Sequence, residues 1–212
     1  ILTPALQNPL DFGIDLSLHS ATKFIDGQGR ALGGAIAGSK KLVEKMKQTM
    51  RFSGFSLTPF NAWILLKSLE TLKIRMDAHS MNSNKVAEWL DANKKVSNVY
   101  YPGLKTHPQY ALASKQQKTG GALVSFEILN PWNSCAKEKA WKIIDNVNLF
   151  SRTGNLGDTR STITHPATTT HLKLSQQQQN IAGISPGLIR LSVGLEETQD
   201  LINDLDSSFG YL

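Results

Sequence analysis

The chain has 212 residues, 40% of them apolar, enough for a substantial core in one large domain or two small ones. Its net charge of +6 is scattered: Lys40, Lys41, Lys45, Lys47, Lys94 and Lys95 stand among apolar residues at helical spacing, as solvated helix faces do. There is no arginine-rich arm or basic stripe interleaved with aromatics, and no apolar run exceeds a few residues, which argues against nucleic-acid binding and against a membrane span.

The single Cys135 has no partner for an intrachain disulfide and no Cys or His at ligand spacing. A reducing, cytoplasmic compartment is expected, and a zinc site is not. Opening on Ile1 rather than on a methionine, the chain reads as a truncated piece.

Along the chain, Ile14, Leu16 and Leu18 alternate with Asp15, Ser17 and His19, predicting a strand that runs into Ser20-Ala21-Thr22-Lys23. After the turn residues Asp26 to Gly29, the small apolar run Ala31–Ala37 suits a buried strand whose Gly33-Gly34 let another backbone or a ligand approach. Leu42, Val43, Met46 and Met50 then mark an amphipathic helix. Thr58-Pro59 supplies an N-cap and a first-turn proline for a long helix whose apolar stripe is Trp63, Leu66, Leu69, Leu72 and Met76. That helix is expected to bridge two domains. Val99 to Tyr101 and Ala122 to Ile128 read as strands, Cys135 to Val147 as a helix, and Gln176 to Gln179 as part of a short polar helix. Leu188 to Val193 reads as a strand before a helix through Leu201, Ile202 and Leu205, so the order is mixed α/β.

Ser20 and Thr22 stand at i and i+2 just before Lys23, so two hydroxyls can face an anion beside an amine. That combination suits a phosphorylated aldehyde, to which a well-placed lysine amine links covalently. By itself the segment is equally readable as a solvated loop lysine with hydroxyl neighbours. Arg190 and Ser192 share one face of a strand whose alternate positions, Ile189, Leu191 and Val193, are apolar. A guanidinium held on a rigid strand can grip a carboxylate bidentately, or pair with a surface carboxylate of the protein itself. His165 and His171 invite a metal reading, but no acidic residue joins them at ligand spacing and Pro166 interrupts a helical His-His face.

Longer blocks carry a resemblance. Leu-His-Ser-Ala-Thr-Lys-Phe-Ile-Asp-Gly-Gln-Gly-Arg-Ala-Leu-Gly-Gly (18–34) resembles the cofactor-lysine segment of the cystathionine synthase and lyase family of pyridoxal-phosphate enzymes. The likeness continues through Ser-Leu-Thr-Pro-Phe-Asn-Ala-Trp (56–63), Leu-Glu-Thr-Leu-Lys-Ile-Arg-Met (69–76) and Val-Tyr-Tyr-Pro-Gly-Leu (99–104). It resumes in Asn-Leu-Gly-Asp-Thr (155–159), His-Pro-Ala-Thr-Thr-Thr-His (165–171) and Leu-Ile-Arg-Leu-Ser-Val-Gly-Leu-Glu (188–196). The Asp-Gly-Gln-Gly-Arg variant is similar to the O-succinylhomoserine sulfhydrylase branch of that family, with cystathionine γ-synthase, methionine γ-lyase, or an inactive truncated remnant lacking the N-terminal half of the site as the alternatives.

The resemblance implies an α/β, fold type I, aspartate-aminotransferase-like architecture. Residues 1–76 would complete the large cofactor domain and residues 77–212 would form the small C-terminal domain. It implies pyridoxal 5′-phosphate as cofactor, Lys23 as the catalytic lysine that links to it and shuttles protons, and Ser20 and Thr22 as holders of its phosphate. Arg190 would bind the substrate α-carboxylate, with Asn155 and Thr170 beside it. Asn155 stands where related lyases carry a serine, so an amide would replace a hydroxyl there. The implied substrates are O-succinyl-L-homoserine and sulfide, and the implied assembly is a tetramer of dimers that share active sites. The implied partner of the pyridine nitrogen, an aspartate, would precede the segment matched by Ile1, so the chain alone is expected to be a poor catalyst.

Overall fold

A computed structural model describes residues 1–212. The elements run α1 (Thr3–Leu6), β1 (Leu16–Ser20), β2 (Gly34–Gly38), α2 (Lys40–Ser53), α3 (Pro59–Leu69), α4 (Leu72–Asp91), β3 (Val96–Tyr100) and α5 (Tyr110–Gln116). They continue through β4 (Leu123–Ile128), α6 (Ala136–Asn146), β5 (Ser151–Arg152), β6 (Thr162–Thr164), α7 (Gln176–Ile181), β7 (Leu188–Ser192) and α8 (Thr198–Phe209).

Five strands form one sheet in the order β3-β4-β7-β6-β5, antiparallel except for the β5–β6 pair. Alternation along β4 and β7 sends Val124, Phe126, Ile128, Ile189 and Leu191 to one face, where α4, α6 and α8 cover them. This is the main core, and Val86, Ala140, Ile143, Leu201 and Leu205 belong to it. The same alternation sends Arg190 to the opposite face, in register with Ser125 of β4 and Thr164 of β6.

The first two strands form a separate antiparallel ribbon, Leu16 facing Gly38 and Ser20 facing Gly34. Here the structure departs from the expected burial. Ser17 is buried while Leu18 is 71% exposed, Ile14 lies outside the strand, and Leu32 and Ile36 are exposed. A two-stranded ribbon has little to pack against by itself, and Ser17 is the only buried residue of its two strands. At Gly33 the close neighbour is a side chain and not the expected backbone or ligand: a Cβ there would stand 2.7 Å from Leu65 Cδ1 on α3.

The expected single helix from Thr58 to Met76 is two helices, α3 and α4, separated at Glu70-Thr71. Thr58 caps α3 as predicted, its hydroxyl accepting from Asn61 N. The stripe differs too: Ile64, Leu65 and Ser68 face inward, whereas Trp63, Leu66 and Leu69 are exposed. Helix α3 is apolar around most of its circumference, so periodicity alone does not select its covered side. The expected domain boundary after residue 76 falls inside the twenty-residue α4.

Candidate active site

Lys23 sits in a wide helical turn, Ala21–Ile25, directly after β1. Asp26 N donates to Ala21 O at 2.9 Å and Gly27 N to Lys23 O at 2.8 Å. Lys23 itself leaves helical geometry, with φ −88° and ψ −129°. Two arginines anchor the turn. Asp26, buried, accepts from Arg30 N at 2.6 Å and pairs with the Arg30 guanidinium at 3.0 Å. Arg75, reaching from α4, donates to Phe24 O at 2.8 Å and to Ile25 O at 3.0 Å. The backbone that follows Lys23 is therefore held, and the amine is the part left to reach.

That amine meets a residue from the far half of the chain: Lys23 Nζ donates to Asn155 Oδ1 at 2.6 Å. Asn155 and Gly154 in turn offer their carbonyls to Arg190, whose Nη2 lies 2.8 Å from Gly154 O and 3.4 Å from Asn155 O. Thr170 packs beside Gly154, close enough that a Cβ on the glycine would stand 3.3 Å from Thr170 Cγ2. Lys23, Asn155, Thr170 and Arg190 are thus brought into one cluster, though 167 positions separate the lysine from the arginine (190 − 23).

Arg190 is half-buried, and burial pushes its pKa below the usual guanidinium value, although an arginine stays charged at any physiological pH. Its buried Nε has no hydrogen-bond partner within the chain. A buried charged donor without an acceptor is costly, and a carboxylate is the group whose two oxygens would answer it.

The hydroxyls before the lysine divide. Ser20 is exposed at the end of β1, whereas Thr22 Oγ1 accepts from Gly33 N at 3.0 Å and lies 3.3 Å from Gly33 O. Thr22 therefore braces the β2 side of the ribbon with the same oxygen that would contact a phosphate. The cofactor implied by the sequence resemblance fits these residues on two counts: an amine on a fixed turn, and a free hydroxyl three positions before it.

The two histidines of the 165–171 segment are engaged elsewhere. His165 is buried, with Nδ1 2.8 Å from Thr168 Oγ1 and Nε2 2.8 Å from Pro186 O, and His171 Nδ1 lies 2.8 Å from Thr170 Oγ1. Sequence reasoning missed Arg75, His79, Asn82 and Gly157. Arg75 lay inside a quoted block, Leu-Glu-Thr-Leu-Lys-Ile-Arg-Met, but a buried polar residue on a helix has no periodic signature that separates it from a solvated one. The glycine of Asn-Leu-Gly-Asp could have been singled out as a position of close approach.

The model for the Cys/Met metabolism PLP-dependent enzyme family matches residues 1–210. Among curated relatives, an O-succinylhomoserine sulfhydrylase from Pseudomonas aeruginosa is 49% identical over 96% of this chain and 49% of its own length. An L-methionine gamma-lyase from Fusobacterium nucleatum is 38% identical over 96% of this chain and 51% of its own. The chain thus spans about half the length of the curated relatives it matches. A Campylobacter jejuni structure solved with N′-pyridoxyl-lysine-5′-monophosphate superposes with a TM-score of 0.91 at 35% identity, covering 99% of this chain and 57% of that one. The mixed sheet, the lysine turn and the helices therefore make up the corresponding portion of the fold type I architecture, and the chain belongs to the Cys/Met metabolism family of pyridoxal-phosphate-dependent enzymes.

Proposed function

We propose that this chain supplies the lysine-bearing and carboxylate-binding part of an O-succinylhomoserine sulfhydrylase. In that reaction the γ C–O bond of O-succinyl-L-homoserine breaks, succinate leaves with the electron pair, and sulfide forms the new C–S bond of homocysteine. The observation that carries the reading is the convergence of Lys23, Asn155 and Arg190, with Arg190 Nε unpartnered inside the protein.

Pyridoxal phosphate, when bound, supplies an electron sink that acidifies the substrate carbons next to the amine. The rest falls to the chain. Lys23 takes and returns protons at the α and β carbons, its reach defined by the turn held just after it. Arg190 grips the α-carboxylate through the edge that bears the free Nε. Asn155 holds the lysine amine in line with that arginine, Thr170 closes the wall beside Gly154, and Ser20 with Thr22 faces the phosphate. Residues 1–76 would close the cofactor domain and 77–212 form the small domain, within a tetramer of dimers in the cytoplasm. No helix of the chain is long and apolar enough to cross a membrane.

The test is to mix the chain with pyridoxal phosphate, reduce with borohydride and map the modified peptide by mass. Labelling confined to Lys23, and lost in K23R, supports the reading. Labelling spread over surface lysines sinks the claim that this chain holds the cofactor. The second reading, a methionine γ-lyase or cystathionine γ-synthase, is favoured by the 38% identity to the former. Supplying sulfide, cysteine or no acceptor to the chain joined with the remainder of the fold separates the three by product.

A further inference from the structure

Arg75, His79 and Asn82 fall at i, i+4 and i+7 of α4 and so occupy one helix face. They are 8%, 0% and 6% exposed. Burying polar groups at that depth is costly unless specific bonds answer their desolvation, and on this face only His79 Nε2 is left without a partner. Besides Arg75 Nε donating to Thr71 Oγ1 at 3.2 Å and Thr198 Oγ1 donating to Asn82 Oδ1 at 2.7 Å, the bonds share a pattern: they run to main-chain carbonyls outside the helix. Arg75 donates to Phe24 O, Ile25 O and, at 3.0 Å, Ser68 O. His79 Nδ1 lies 2.8 Å from Val193 O. Asn82 Nδ2 donates to Gly194 O at 3.1 Å and to Glu196 O at 2.9 Å.

The identity of those carbonyls gives the pattern its meaning. Phe24 and Ile25 directly follow Lys23, and Val193 and Gly194 directly follow the strand that carries Arg190. Both segments therefore hang on a single rigid helix, from points about 10 Å apart along its axis at 1.5 Å per residue. The Phe24 ring meets the His79 ring edge-on at 5.3 Å, joining the two attachments. Unlike an apolar contact, a carbonyl bonded by a fixed donor has a defined direction, so these bonds set orientation as well as proximity.

We infer that the Arg75–His79–Asn82 face of α4 is a positioning device that fixes the separation between the Lys23 amine and the Arg190 guanidinium. The roles of those two end groups rest on the function proposed above; the device itself rests on the bonds. Arg75 is its most demanding member, because one planar fork serves three carbonyls, which a lysine ammonium cannot reproduce.

Hydrogen exchange on the 212-residue chain tests it, comparing R75K and H79Q with the unsubstituted protein; R75K keeps the charge, and H79Q guards against a variant that fails to fold. In R75K the Asp26 and Gly27 amides should exchange at least about tenfold faster while those of β4 and β7 hold their rates. In H79Q the acceleration should centre on Val193 and Gly194, with the β4 interior unchanged. Uniform acceleration across β4 and β7 would mean that these residues stabilise the fold as a whole, and unchanged exchange in both variants would mean that they hold nothing; either result overturns the inference. A second readout is borohydride labelling of Lys23 with pyridoxal phosphate, expected to fall about tenfold in R75K with the β4 amides still protected. If the unsubstituted chain is not labelled at all, the cofactor reading of Lys23 fails, and the exchange result still decides the positioning role.

Discussion

Gly157 lies against the backbone of Lys23 so closely that a Cβ on the glycine would stand 2.9 Å from Lys23 Cα and 2.8 Å from Phe24 N. Its φ of +86° is also one that other residues rarely adopt. Two costs therefore add in G157A: left-handed backbone at about 1–2 kcal/mol, and overpacking against immobile backbone at about 1–3 kcal/mol. We expect urea unfolding to show a loss of about 2–5 kcal/mol. A loss under about 0.5 kcal/mol, typical of a neutral surface change, would refute the close contact.

His79 and His165 should make the protein acid-sensitive. Burial is the first cause of depression in both, with Arg75 adding to it at His79 and Lys137 at His165, against opposing contributions from the Val193 and Pro186 carbonyls and, at His79, from Glu196 and Asp158. With the folded pKa below the usual 6.5, the unfolded chain binds more protons under that pH. Stability is fully present above 6.5 and falls as the pH drops toward the folded values. Urea midpoints between pH 7.5 and about 5 should show that decline, and the His79 and His165 imidazole C2 protons should titrate below 6.5 in NMR. Midpoints that stay level would contradict it.

At the alkaline end the sign reverses. Burial, then the hydrogen bond from Tyr100 to Glu127, pushes the Tyr100 phenol up to about 12 from 10.0. A raised folded pKa means stability present below pH 10 and lost as the pH rises toward 12. Absorbance at the phenolate band should resolve a late-titrating tyrosine that Y100F removes. Tyr101, more deeply buried, is shifted in the same direction, so Y100F should flatten the alkaline loss only in part.

The ribbon and α2 should open before the rest. No residue of α2 is buried, four of the five residues of β2 are exposed, and Phe52 and Phe55 are 98% and 71% exposed. Local opening is cheapest where few apolar contacts are lost, so amides of residues 34–57 should exchange at least about a hundredfold faster than those of β4 and β7. Equal protection across both regions would show that this segment is covered in solution.

Legibility in the sequence followed the physics of each element. Strands β4 and β7 were readable because Val124, Phe126, Ile128, Ile189 and Leu191 meet the main core at alternate positions, with Ser125, Glu127, Arg190 and Ser192 between or beside them. The α3 cap was readable because an N-cap is local chemistry, a hydroxyl and the amide three residues on. The covered side of α3 was not, because both sides are apolar. The two-residue β5 was too short for any period to register.

For the site, the residues alone gave Lys23 a hydroxyl-flanked setting and Arg190 a rigid strand, and resemblance supplied their roles. What the residues could not carry was that both reach Asn155. Asn155 reaches Lys23 across 132 positions, and Arg75 reaches Phe24 across 51. Contacts of that separation depend on how the ribbon, α4 and the five-stranded sheet are folded onto one another, which no local pattern encodes. Side-chain chemistry and periodicity are properties of neighbours in sequence, so the sequence by itself determined the family, the elements and the candidate groups. Distance between groups is a property of the packed chain, so only the tertiary structure decided that Thr22 braces Gly33, that α3 and α4 are two helices, and that Lys23 and Arg190 stand on a common strut.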